Sequence, residues 1–218
     1  MIVEELFPTP LLRVNIKDEL DISEIEKLKL LSLDKKNLIP NGNNGNFFHK
    51  NVDLLKTYIP NSTTEKVIKK YLDIFLHDIL LEKEANVRIT GSWINVNPPR
   101  TVHHEHFHMN SILSGTLYLN AEANKGGEFI VHKTKANTRQ VASHIYGSNK
   151  FVDKWKYIPV NTYDLHIFPS ILEHSVASNR SKTNRLSLSF NTFYIGEVLM
   201  NPKNAVTSLT RLDIKELG

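Results

Sequence analysis

The 218-residue sequence predicts a mainly β fold with flanking helices, a double-stranded β-helix (jelly roll) core against which N-terminal helices pack from outside. Three observations carry this expectation. From Asn86 onward the chain breaks into short β-branched and aromatic runs divided by Gly, Pro, Asn and Lys turns; an amphipathic helical segment precedes them; and 40% hydrophobic content over this length suits one substantial core rather than two. Residues 1–218 are therefore read as a single domain, with a helical N-terminal part at 1–85, the β-helix core at 86–196 and a C-terminal extension at 197–218.

The elements follow in chain order. Residues 2–7 and 10–16 read as extended segments joined at Pro8 and Pro10, because proline fixes φ and pushes the residue before it out of the helical region. In DISEIEKLKLLSL the apolar residues Ile22, Ile25, Leu28, Leu30 and Leu31 recur near helical spacing, with Asp21 or Ser23 as cap. The Asn/Gly-rich run at 37–51 breaks all periodicity and reads as a loop. Ser62 and Glu65 then form a capping box ahead of an apolar stripe, Ile68, Leu72, Phe75, Ile79 and Leu80, with His77 on the same helix as a structural residue. The strand candidates are VRITGSWINVN, SILSGTLYLN, GEFIVHK, KWKYIPV, TYDLHIFP and NRLSLSFNTFYI. A long polar stretch at 133–155 interrupts them and reads as an insertion over one mouth of the barrel, a common place for a substrate lid.

Composition narrows the chemistry. With no cysteine there are no disulfides, thiol nucleophiles or zinc ribbons, so any metal must be held by His and carboxylates. Acidic residues stand near the N-terminus where a signal peptide has basic ones, and no apolar run reaches bilayer-spanning length, so a soluble, cytoplasmic protein with no membrane partner is expected. The net charge of +4 is spread without a dense basic block, which argues against a nucleic-acid groove.

Against that background VHHEHFHMN places four of the ten histidines at 103, 104, 106 and 108. In extended backbone His104, His106 and His108 share one side, while His103 and Glu105 share the other. Two imidazoles spaced H-x-H can face one ion, and a distant third ligand completes a facial triad with open positions. His174 is that third candidate, after an apolar strand and a Pro-Ser turn. It begins an H-x10-R-x-S pattern with Arg185 and Ser187 on one strand face. A buried arginine beside a metal is costly unless an anion neutralises it, and its fork matches a carboxylate. His49, His132, His144 and His166 read as ordinary, and Phe107, Trp93 and Phe168 as candidate apolar lining.

These pieces, in this order and spacing, resemble the 2-oxoglutarate and Fe(II)-dependent oxygenase superfamily, in particular its bacterial and phage branch. LFPTP at the start, GSWINV, H-x-H-x-N-S-x-x-S-G at His106 to Gly115, TLYLN, GGEF, FPS-x-x-x-H and R-x-S carry the likeness, most of it within residues 90–195. The resemblance implies Fe(II) and 2-oxoglutarate as cofactors, O2 as co-substrate and a prolyl-hydroxylase-like dioxygenase reaction. It further implies His106 and His174 as iron ligands, and Arg185, Ser187 and Tyr118 as holding the distal carboxylate of 2-oxoglutarate. The superfamily's usual H-x-D or H-x-E is replaced by His106-Phe107-His108. The third ligand is thus either His108 or, through an offset H-x-E, the His103 and Glu105 pair, with Glu105 otherwise orienting an imidazole. Two other readings stay open: a cupin-like metal enzyme that does not use 2-oxoglutarate, and a non-catalytic jelly-roll binding or structural protein.

Overall fold

The computed structural model describes residues 2–3, 8–133 and 147–196. The expected insertion at 133–155 falls largely outside these residues, as do His144, most of the 2–7 segment and the extension at 197–218. Two antiparallel sheets face one another. The larger runs β1 (Leu12–Asn15), β9 (Asp164–Pro169), β6 (Leu113–Asn120), β11 (Arg185–Ile195), β4 (Asn86–Asn97), β3 (Phe47–His49) and β2 (Leu38–Pro40). The smaller runs β5 (His103–His106), β10 (His174–Val176), β7 (Phe129–His132) and β8 (Trp155–Ile158). This is the jelly-roll arrangement expected from the run of short strands.

Helices cover the outer face of the larger sheet. In α1 (Ile22–Leu31) the Asp21 side chain accepts from the Ser23 backbone N–H, and Ile25 and Leu28 are buried while Ile22 and Leu30 face out. Ser62 caps α3 (Thr63–Ile74) through the Glu65 N–H at 3.0 Å. The expected stripe holds through Ile68, Leu72 and Phe75 and then slips: a π-helical turn at Phe75–Ile79 buries Leu76 in place of Ile79, because the wider turn rotates later side chains out of the 3.6-residue register. His77 binds the Ala85 carbonyl at 2.8 Å. A short α2 (Leu54–Tyr58) adds Leu54 and Leu55 to the same layer.

The sheet is buried on both faces, which sorts its residues by parity. Ile94 and Val96, Leu117 and Leu119, Leu165 and Ile167, and Leu186, Leu188 and Phe190 join the helical core. Their neighbours Tyr118 and Phe168 point into the barrel with Phe129, Ile158, Val160 and Leu172. Single-face alternation therefore understates burial here, and His166, out of phase with its apolar neighbours, is fully buried inside the barrel. The 37–51 run is not a plain loop. Its ends pair as β2 and β3, whose three-residue length hides any period of two, and the Asn/Gly run is the turn between them.

Candidate active site

Trp93 and Asn95 on β4, Thr116 and Tyr118 on β6, and Arg185, Ser187 and Ser189 on β11 point from the larger sheet into one cavity. Phe168 from β9 joins them, and the smaller sheet closes it with His103, His106, Phe129, His174 and Val176. His108 enters just past the end of β5, where its backbone N–H bonds the Ser170 carbonyl at 2.9 Å. Of the expected apolar residues, Trp93 and Phe168 line this cavity, whereas Phe107 is 47% exposed at the outer rim.

His106, His108 and His174 each offer one nitrogen to a common point, all three within 4.8 Å of one another. The partner of the other nitrogen fixes each ring. His106 Nδ1–H donates to the His104 carbonyl at 2.9 Å, His108 Nδ1–H to Asn191 Oδ1 at 2.6 Å and His174 Nδ1–H to the Leu172 carbonyl at 2.8 Å. Every acceptor is an oxygen, so every Nδ1 carries the proton and every Nε2 keeps its lone pair. That is the tautomer a metal ligand needs, set here by the groups behind the rings. Burial, opposed by the hydrogen bond to the His104 carbonyl and aided by repulsion from His108 and His104, pushes the His106 pKa down to about 4, and burial chiefly lowers those of His108 and His174. The three rings are neutral donors at neutral pH.

Asn191 is in turn held by Ser114, whose hydroxyl donates to the same Oδ1 at 2.8 Å and meets Ser170 Oγ at 2.7 Å; Ser170 bonds Ser111 at 2.8 Å. The serines of the N-S-x-x-S-G motif thereby gain a positional role. Asn191 itself was not singled out by the sequence, where it is one polar residue in a strand. A register shift between β11 and β4 falls directly after it.

At the far end of the cavity lies Arg185, 5% exposed. Its guanidinium stacks over the Tyr118 ring at 4.8 Å and reaches Asn97 Oδ1 at 3.4 Å, and its Nε has no partner. Among the described residues no carboxylate bridges to it; the nearby Glu128 binds Arg180 instead. Gly127 leaves room for the arginine, since a Cβ there would lie 2.7 Å from Arg185 Cδ. Tyr118 OH meets His166 Nδ1 at 3.3 Å, and burial raises the phenol to about 12, so it is a neutral donor. A buried cation, a phenol, the Ser187 hydroxyl lining the wall and the unpartnered Asn97 Nδ2 behind it make a chemical fit for a carboxylate.

The expected alternation along the histidine strand fails at one point. His174 pairs with His106 but Val176 pairs with His103, so two residues of β5, His104 and Glu105, oppose Ser175 alone. This bulge turns His103 onto the same side as His106, their rings stacked at 4.6 Å and 16°. Glu105 leaves the site: it binds His132 at 2.9 Å, and no candidate metal cluster among the described residues includes it.

Residues 91–191 match the family model described as "Putative 2OG-Fe(II) oxygenase". No curated protein sequence matches the chain. Among solved structures, a prolyl-4-hydroxylase from Pseudomonas putida is 14% identical, with TM-score 0.55 over 84% of this chain and 92% of that one. HygX from Streptomyces hygroscopicus, solved with nickel and 2-oxoglutarate bound, is 12% identical, with TM-score 0.54 over 84% and 82%. The non-heme α-ketoglutarate-dependent epimerase SnoN from nogalamycin biosynthesis is 11% identical, with TM-score 0.60 over 85% and 78%. At such identities the structures speak for the fold, while the sequence match covers the stretch that carries all the cavity residues. Residues 91–191 are thus similar in sequence to the 2OG-Fe(II) oxygenase family model, and the chain shares its fold with these solved structures.

Proposed function

We propose that the chain is an Fe(II)- and 2-oxoglutarate-dependent dioxygenase that hydroxylates a C–H bond, with His106, His108 and His174 as the iron ligands and Arg185, Ser187 and Tyr118 as the 2-oxoglutarate site. One observation carries the reading: three imidazoles, each with Nδ1 bonded to an oxygen, bring one ring nitrogen apiece together at one end of a cavity whose other end is a buried guanidinium with no carboxylate partner among the described residues. Bound iron would supply the activation of O2 coupled to decarboxylation of the co-substrate.

The residues divide that work. The three imidazoles hold the ion without cancelling its charge, and with Arg185 they leave three positive charges in a cavity lined by no carboxylate among the described residues. A dicarboxylate fits that excess, one end at the ion and the other at the guanidinium fork. Tyr118 donates to the distal carboxylate while accepting from His166 Nδ1–H, which defines the His166 tautomer. Phe129 and Phe168 pack on His174 at 5.0 and 4.9 Å and keep water from that flank. The primary substrate approaches through the outer groove, lined by Phe48, Trp93, Phe107 and Met109 with Asn41, Asn95, Asn110 and Asn191 and, among the described residues, by no Lys, Arg, Asp or Glu. Such a lining suits an uncharged, partly apolar substrate, as a prolyl side chain is.

Anaerobic Fe(II) with 2-oxoglutarate should give a weak visible charge-transfer band in the parent protein and none in His174→Ala; no band in the parent refutes the assignment. Three neutral ligands also favour a cupin-like enzyme without 2-oxoglutarate. Replacing Arg185 with Leu separates the two, because metal-dependent turnover that survives the change supports the cupin-like reading.

A further inference from the structure

We infer that the histidine strand carries a second, outer position for a divalent metal ion, formed by His103, His104 and His106, and that one ion occupies the outer or the inner position but not both. This rests on the inner reading of His106, His108 and His174 given above. The outer three rings also bring one nitrogen each within 4.8 Å of one another. Three imidazole nitrogens bound to one ion at about 2.1 Å stand about 3.0–3.4 Å apart, so side-chain movements of up to about 2 Å close either set.

Exclusivity follows from His106, which belongs to both sets. Its Nδ1–H is committed to the His104 carbonyl, so a single lone pair, on Nε2, serves both positions. That ring lies 4.6 Å from the His103 ring on one side and 4.3 Å from the His174 ring on the other. The β5 bulge makes the outer set possible, since strict alternation would turn His103 away.

Exposure orders the two positions. His104 is exposed, His103 and His106 are half-buried and His174 is 5% exposed. His103, His104 and His106 line the open groove, and His103 and His106 also line the inner cavity. An ion arriving from the groove therefore meets the outer set first and passes inward as the shared His106 exchanges His103 and His104 for His108 and His174. The turn between β2 and β3 holds the two outer rings ready: Asn41 Nδ2 donates to His103 Nε2 at 2.9 Å and Asn44 Nδ2 to His104 Nδ1 at 3.1 Å. A half-turn of either amide presents its oxygen instead, keeps the contact and switches the ring to the tautomer with its other nitrogen free.

The test uses the full chain without a polyhistidine tag and Co(II) as probe, read by calorimetry and by visible absorption. The parent should bind a single equivalent. His174→Ala, with His108→Ala as a second variant should the first not fold, should still bind one equivalent, about 10- to 100-fold more weakly and with a changed spectrum. His104→Ala should keep the parent's affinity and spectrum but take up Co(II) about tenfold more slowly in stopped flow, and the His104→Ala/His174→Ala double variant should bind none. Two equivalents in the parent overturn exclusivity, no binding in either inner variant overturns the outer position, and unchanged uptake in His104→Ala overturns its role in capture. An inner variant with the parent's affinity and spectrum overturns the inference through failure of the inner site instead.

Discussion

The inner end of the cavity is made by residues in the middle or at the start of long paired strands: Tyr118 on β6, and Arg185 and Ser187 on β11, none more than 5% exposed. The outer end is made by a four-residue bulged strand, β5, and the turn of a hairpin with three-residue strands, and it exposes 47% of Phe107 and 75% of Met109. Long ladders fix side chains because each is pinned by two neighbours, which suits an invariant co-substrate. Short strands and turns are held by fewer bonds and accommodate exchange of ions and variety of substrate. The imidazoles stand at the junction, His174 on the buried side and His106 and His108 on the outer one.

Substitutions test that division from both sides. The largest effect is expected where the halves meet: His174→Ala should weaken Fe(II) binding by about 100-fold, the upper end of what the outer histidines leave, as measured by anaerobic titration. Arg185→Leu should weaken 2-oxoglutarate by about 100-fold or more, since two charge-assisted hydrogen bonds go with it, and leave Fe(II) affinity in place. If both ligands suffer equally, the two ends are not separable. Asn191→Ala frees the His108 ring and should lower Fe(II) affinity by about 10-fold, with 2-oxoglutarate affinity at saturating metal retained.

Gly127→Ala sharpens the inner side alone. The position has φ +71° as well as the close approach to Arg185, so the change should cost about 1–2 kcal/mol in chemical denaturation and weaken 2-oxoglutarate binding. Acid should act on the same side in the metal-free protein. Burial holds His166 near a pKa of about 3 against an ordinary 6.5, so below pH 6.5 the unfolded chain takes up a proton that the folded one refuses. Stability should fall as pH drops from 6.5 towards 3 and be insensitive to this group above 6.5, with His166→Phe removing part of the slope; a midpoint independent of pH would show the ring charged in the fold. The smallest effect is expected outside: Phe107→Ala should leave metal and 2-oxoglutarate affinities within about twofold and raise only the KM for the primary substrate.

Much of the inner end was legible in the sequence because strand parity is a local property. H-x10-R-x-S put Arg185 and Ser187 on one face, and both do line the cavity with His174. The outer end was not, because a bulge is decided by the partner strand: nothing in HHEH says that Ser175 alone faces His104 and Glu105. The hairpin at 38–49 was missed for a related reason, since three-residue strands show no period. Asn191 was missed because its value lies in what it touches, His108 and Ser114, both more than seventy residues away in the chain.

The sequence by itself determined the mainly β class, the cap at Ser62, the dense group of histidines and the lack of cysteine competitors, and narrowed the first cap to Asp21 or Ser23, since propensity, capping and composition act over a few residues. Tertiary structure alone decided which imidazoles converge, which nitrogen of each keeps its lone pair and that Glu105 turns to His132. Those outcomes depend on strand register and on hydrogen bonds between distant segments, which exist only once the two sheets have closed on each other.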